Sequence, residues 1–223
     1  MARSWTMAVW VLVLVMAAAV VAGIATTEGR GQTQPQVAST DLELNEILAG
    51  PTRDWDGNGV FDAREDEWLE IANRTPAAVD LSSYRVSDAD STIRFGFTGS
   101  LAPGSVLLVT GHMAEDWQRS AGRTATGLSL NNSGDTVILF HLSGADTIAV
   151  DRKTYNSIEG APDRSTGRSG ADGSTWVLFD GLNRYTGSGQ PQGTGCPPSP
   201  ALANECPTAV LGTTWGKIKR IYR

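Results

Sequence analysis

Three consecutive runs decide the fold: Leu42-Glu43-Leu44-Asn45-Glu46-Ile47-Leu48, then Asp54-Trp55-Asp56-Gly57-Asn58-Gly59-Val60-Phe61-Asp62-Ala63-Arg64-Glu65, then Asp66-Glu67-Trp68-Leu69-Glu70-Ile71-Ala72-Asn73. The outer two are rich in Leu and Ile at alternating positions, which is the pattern of strands with one face in a core. In the second, alternation puts Glu67, Leu69 and Ile71 on one face and Trp68, Glu70 and Ala72 on the other, so Leu69 and Ile71 are expected in the core. The middle run satisfies the fixed positions of the twelve-residue calcium-loop pattern. Asp54, Asp56, Asn58 and Asp62 offer side-chain oxygens, Val60 a carbonyl and Glu65 a bidentate carboxylate, while Gly59 permits the sharp turn. Four carboxylates crowd these twelve residues, and Arg53 and Arg64 offset only part of their repulsion. A hairpin turn at Gly57-Asn58-Gly59 flanked by solvated acidic residues is the competing reading. The run lies between strands rather than between amphipathic helices, so a bound Ca2+ would clamp a connection and not operate a sensor. Glu46 and Asp66 flank it, either as additional oxygen ligands or as solvated rim carboxylates.

Outward from this stretch the chain continues as short strands bounded by Gly, Pro, Asn, Asp and Ser. They are expected at 84–87, 93–97, 106–110, 136–141, 147–155 and 174–179, with a short helical turn at 114–122. That number of strands in the 140 residues from 41 to 180 suits a two-sheet antiparallel sandwich. Ala102-Pro103-Gly104, Asn131 to Asp135 and Ser143-Gly144-Ala145-Asp146 are expected reversals. Residues 156–173, with Arg152, Lys153, Arg164 and Arg168, read as a long basic loop, either solvated or in contact with an anionic polymer.

The ends have their own character. Residues 1–25 hold Arg3 and then an apolar run from Met7 to Ile24, with Gly23 and Ala25 spaced as signal peptidase favours. Cleavage as a signal peptide and retention as an N-terminal membrane anchor both remain open, and both send the remainder out of the cytoplasm. Residues 26–40 read as a flexible linker. Residues 181–212 form a Gly- and Pro-rich segment in which Cys196 and Cys206 are expected to pair outside the cytoplasm, for about 2 to 3 kcal/mol on the chain-entropy model. Residues 213–223 contain Trp215, Lys217, Lys219, Arg220, Tyr222 and Arg223. This cationic and aromatic tail either docks on a partner or packs on its own domain.

The formal charge of −6 becomes −7 without Arg3, which makes the mature chain a poor general binder of nucleic acid. His112 and His141 are the only imidazoles, and they fall on different elements. Gly167-Arg168-Ser169-Gly170 lacks the spacing of a nucleophile elbow, and Asp88 and Asp90 lie in a polar loop. No catalytic residue is assigned, and the chain is not expected to be an enzyme.

Five short pieces, in order, carry a resemblance: Leu44 to Leu48, Asp66 to Asn73, Val79 to Tyr84, Leu101 to Gly104, and Leu130 to Val137. Together they resemble the lamin tail domain family in its secreted bacterial branch, over about residues 41–180. The resemblance implies an immunoglobulin-like β-sandwich used as a non-catalytic interaction or scaffold module. The expectation is therefore a calcium-stabilised extracellular module at a bacterial cell surface, secreted, periplasmic or anchored by residues 7–24. Its partner would be an unidentified protein or cell-surface polymer, with membrane contact only through an uncleaved N-terminus. The alternative is an accessory or targeting component of a secreted nuclease or phosphoesterase system.

Overall fold

The computed structural model describes residues 42–169 and 173–204. The expected export segment, the linker, Cys206 and the basic tail with Trp215, Lys217, Lys219, Arg220, Tyr222 and Arg223 lie outside the described residues. Among the described residues no helix is long and apolar enough to cross a membrane.

Eleven strands and one helix follow in order: β1 (Leu42–Leu48), β2 (Trp68–Asn73), β3 (Val79–Asp80), β4 (Tyr84–Ser87), β5 (Ile93–Gly96), β6 (Ser100–Leu101), β7 (Val106–Thr110), α1 (Gly111–Ser120), β8 (Gly134–Ser143), β9 (Asp146–Asn156), β10 (Ser165–Ser169) and β11 (Thr175–Phe179). One sheet has the order β11-β10-β1-β2-β7 and another β5-β4-β8-β9, with a two-stranded β3-β6 pair beside them. All the strand pairs are antiparallel. Leu42, Leu44, Ile47, Leu69, Ile71 and Val109 from the first sheet share one core with Tyr84, Val86, Val137, Leu139, Val150 and Tyr155 from the second. This is the expected antiparallel β-sandwich of immunoglobulin-like type, with Leu69 and Ile71 in the core as alternation requires.

Two turns follow their expected chemistry. Gly144 at φ +61° closes the β8-β9 hairpin, where Ser143 faces Asp146. Gly104 at φ +68° completes the reversal in which the Ser105 amide donates to the Ala102 carbonyl at 3.2 Å.

Two expectations are corrected. Residues 156–173 are not one long loop, because they contain β10, which sits between β1 and β11. Nor are Lys153, Arg164 and Arg168 free for an anionic polymer, although Arg152 is exposed. Lys153 pairs with Glu159 at 2.6 Å and Arg168 with Asp151 at 2.7 Å. The Arg164 Nε donates to the Asn183 carbonyl at 2.7 Å. The Arg168 guanidinium and the Lys153 ammonium both stack over the Trp176 ring, at 4.8 and 5.0 Å from its centroid, so that ring is engaged inside the protein.

The second correction concerns Glu46 and Asp66, which are fully buried rather than solvated. A register shift between Leu44 and Glu46 inserts Asn45 into β1. The bulge lets Leu44 and Ile47 both face the core while Asn45 and Glu46 reach polar partners away from it. There Glu46 lies directly across from Glu70 of β2, and residues 199–204 cover the pair. The Ser199 amide and hydroxyl donate to Glu46 at 3.1 and 2.6 Å, the Ala201 amide donates to Glu70, and the Asn204 side-chain amide donates to the Asn45 carbonyl at 2.9 Å. Asn45 Nδ2 donates to the other Glu70 oxygen at 2.9 Å. Burial raises the pKa of both carboxyls, that of Glu70 to about 7, with the neighbouring Glu46 charge adding to the effect.

Candidate functional site

The acidic run forms the connection between β1 and β2, and two buried aspartates hold it. Asp66, at the entry to β2, accepts from the amides of Trp55 at 2.6 Å and Asp56 at 3.0 Å on one oxygen and from that of Asp62 at 2.8 Å on the other. Three backbone donors of the loop thus converge on one carboxylate with no exposed surface. At the other end Asp163 accepts from the Thr52 amide at 2.9 Å, from Arg53 Nη2 at 2.7 Å and from Trp55 Nε1 at 3.2 Å. Desolvation pushes the Asp163 pKa up, but the hydrogen bonds from Arg53, Thr52 and Trp55 outweigh it and the net direction is down. Trp55 also packs edge-on against the fully buried Trp68, with ring centroids 5.9 Å apart. The loop is therefore anchored at both ends by charge-assisted hydrogen bonds rather than by burial of its own tip.

Within the loop, the side chains at the ligand positions also shape the backbone. Asp54 accepts from the amides of Gly57 at 2.7 Å and Gly59 at 2.8 Å, Asp56 from that of Asn58 at 2.9 Å, and Asn58 from that of Val60 at 2.7 Å. Asp62 accepts from the amides of Arg64 at 2.8 Å and Glu65 at 3.2 Å. Such turns need the left-handed backbone that Gly57 and Gly59 supply, at φ +76° and +89°.

Oxygens of Asp54, Asp56 and Asp66 lie within 4.8 Å of one another, and oxygens of Asp56 and Glu65 lie equally close to a ring nitrogen of His112. Asp56 belongs to both groups, while Asn58, Val60 and Asp62 sit further along the loop, tied to it by the bonds above. Desolvation raises the Asp56 pKa against the Asn58 amide, and the charges of Asp66 and Asp54 push it the same way. For Asp54 desolvation is outweighed by the amides of Gly59 and Gly57, so its pKa is lowered. At Asp62 the amides of Arg64 and Glu65 lower it. The arrangement sets carboxylates beside one another, and a hard divalent cation is the species whose charge and oxygen preference complement them. The donor set fits Ca2+ chemically.

Sequence reasoning missed Asp163 and weighed Asp66 only as a rim or ligand residue. The available signal for Asp66 was its place directly before an apolar strand, where a short carboxylate can accept the amides of a folding-back loop. For Asp163 no local signal existed, since its partners lie more than a hundred residues earlier. Glu67, beyond Asp66, accepts from the Leu130 amide at 3.0 Å, and burial raises its pKa to about 8. His141 is distant in role: on β8 it packs its ring against Tyr84, centroids 4.8 Å apart. Cys196 is buried, but its expected partner Cys206 is outside the described residues.

No curated protein matches the chain. The sequence model of the Lamin Tail Domain matches residues 35–157, more than half of the chain and the whole span from β1 through β9, including the acidic connection. The antiparallel sandwich and the five quoted motifs agree with that match, and the chain belongs to the lamin tail domain family.

Proposed function

We propose that this lamin tail domain is a non-catalytic, calcium-stabilised binding and scaffold module that works outside the cytoplasm, at a bacterial cell surface, where it holds a protein or polymer partner. The observation that carries this reading is the acidic connection itself: carboxylates of Asp54, Asp56 and Asp66 brought together on a loop clamped by Asp66 and Asp163. The side chains of Asp54, Asp56, Asn58, Asp62 and Glu65 and the Val60 carbonyl would hold the ion, which supplies charge neutralisation and no chemistry. A site of extracellular-module affinity, roughly 0.1 to 1 mM, would be largely occupied at millimolar calcium. Export through residues 1–25, pairing of Cys196 with Cys206, and docking through residues 213–223 belong to the same reading. The family is an immunoglobulin-like one and generally non-catalytic, which supports a binding role.

The test is thermal melting and calorimetric titration of the metal-free protein. Ca2+ is expected to raise the melting temperature, and Asp54→Ala with Glu65→Ala to abolish the increment. An unchanged melting temperature at millimolar Ca2+ would remove the calcium part of the proposal. Deletion of residues 213–223 is expected to reduce partner capture; an unchanged profile would remove the docking part.

A further inference from the structure

The start of α1 is pressed against the end of the acidic loop. The Gly111 amide donates to the Glu67 carbonyl at 2.7 Å and the His112 amide to the Glu65 carbonyl at 3.0 Å. A Cβ at Gly111 would lie 1.8 Å from the Arg64 carbonyl oxygen, so only glycine allows this approach. The consequence is to fix His112 over Glu65, with Nδ1 3.4 Å from a Glu65 oxygen. That nitrogen is buried and has no hydrogen-bond partner. Its distal neighbour Nε2 faces Asp116, one helical turn on, at 3.7 Å.

We propose that His112 Nδ1, Glu65 and Asp56 form a binding position for a borderline transition dication of the Zn2+ type, distinct in metal preference from the all-oxygen calcium set. Ligand atoms of the three residues lie within 4.8 Å of one another, a spread that small local adjustments bring to the edge length of a tetrahedral site. An imidazole with two carboxylates suits Zn2+ or Co2+, whereas Ca2+ takes oxygen. A carboxylate facing the other ring nitrogen is the usual support of a metal-bound histidine, which makes Asp116 a positioning residue. The site leaves a coordination position for water or a partner's donor group. It does not require calcium to be bound, but Asp56 and Glu65 are common to both sets, so the two ions compete.

The test titrates the untagged full chain, freed of metal, with Zn2+ by calorimetry and with Co2+ by visible absorption. One Zn2+ per chain and a Co2+ spectrum showing nitrogen ligation are expected. His112→Gln should weaken Zn2+ binding at least about tenfold and remove the Co2+ bands, with the metal-free melting temperature and the calcium response retained. Asp116→Asn should weaken Zn2+ by about tenfold without losing the bands. Asp54→Ala should lose the calcium response and keep Zn2+. Equal Zn2+ affinity in the His112→Gln and wild-type chains, or no Zn2+ binding by the wild type, would overturn the proposal. His112-dependent Zn2+ binding without any calcium response would uphold it while refuting the calcium reading above.

Discussion

Replacing Glu70 by Gln should abolish a loss of stability that the wild-type protein suffers as pH rises through neutrality. Glu70 has no exposed surface, and its pKa stands at about 7 against 4.5 for the free side chain. Between those values the folded chain keeps a proton that the unfolded chain has released, so stability falls as pH rises through that window and levels off above it. Each pH unit is worth about 1.4 kcal/mol, and the window amounts to roughly 3 kcal/mol. Glutamine cannot ionise; its one carbonyl oxygen can accept from Asn45 Nδ2 or from the Ala201 amide but not both, and the cost of the mismatched donor is the same at every pH. Urea unfolding of both chains from pH 4.5 to 8.5 should therefore show the wild type losing roughly 3 kcal/mol more than the variant between acid and alkaline pH, or about 6 to 12 °C in melting temperature. Glu67, raised in the same direction, tilts both curves equally and cancels in the difference. Parallel curves would refute the claim that residues 199–204 lie over a carboxyl pair held against its ionisation.

Three further perturbations have defined outcomes. Gly167→Ala puts a Cβ 2.7 Å from Asn204 Nδ2, 2.9 Å from the Phe179 ring and 3.0 Å from the Glu46 side chain, and should cost about 1 to 3 kcal/mol in urea unfolding. Gly111→Ala meets a backbone oxygen that cannot swing aside; a loss of about 3 kcal/mol or more is expected, with hydrogen exchange accelerated at the amides of position 111 and His112. Asp66→Ala strands three amides, and should lower stability by about 3 kcal/mol and loosen the loop to proteolysis, an effect that added Ca2+ reverses only in part.

Much of the sandwich was legible because its strands obey local rules. The bounds of β1, β4 and β7 follow directly from alternating Leu, Ile, Val and Tyr between breakers. β10 escaped because Ser165-Thr166-Gly167-Arg168-Ser169 contains no large apolar residue. Its positions are filled instead by a hydroxyl on Glu46, a hydroxyl on Glu159, a glycine beneath Asn204 and an arginine on Asp151. Apart from Glu159, seven residues before Thr166, each of those reasons is a partner distant in sequence. The acidic loop was visible as a pattern of ligand types, yet its anchors were not, since what Asp163 and Asp66 do depends on where the folded chain brings backbone donors. The same holds for His112, whose relation to Glu65 is set by one glycine at a strand-to-helix junction.

The first strand occupies the middle of its sheet, with β2 on one side and β10 on the other. Its second neighbour is encoded 119 residues downstream, the separation of Glu46 from Ser165. At a synthesis rate of roughly 5 to 20 residues per second, β1 waits about 6 to 24 s for that edge to be sealed. A nascent chain left waiting that long offers an open hydrogen-bonding margin to any other extended segment nearby. Polypeptides truncated at residue 157, where the family match stops, would carry that margin permanently and should self-associate.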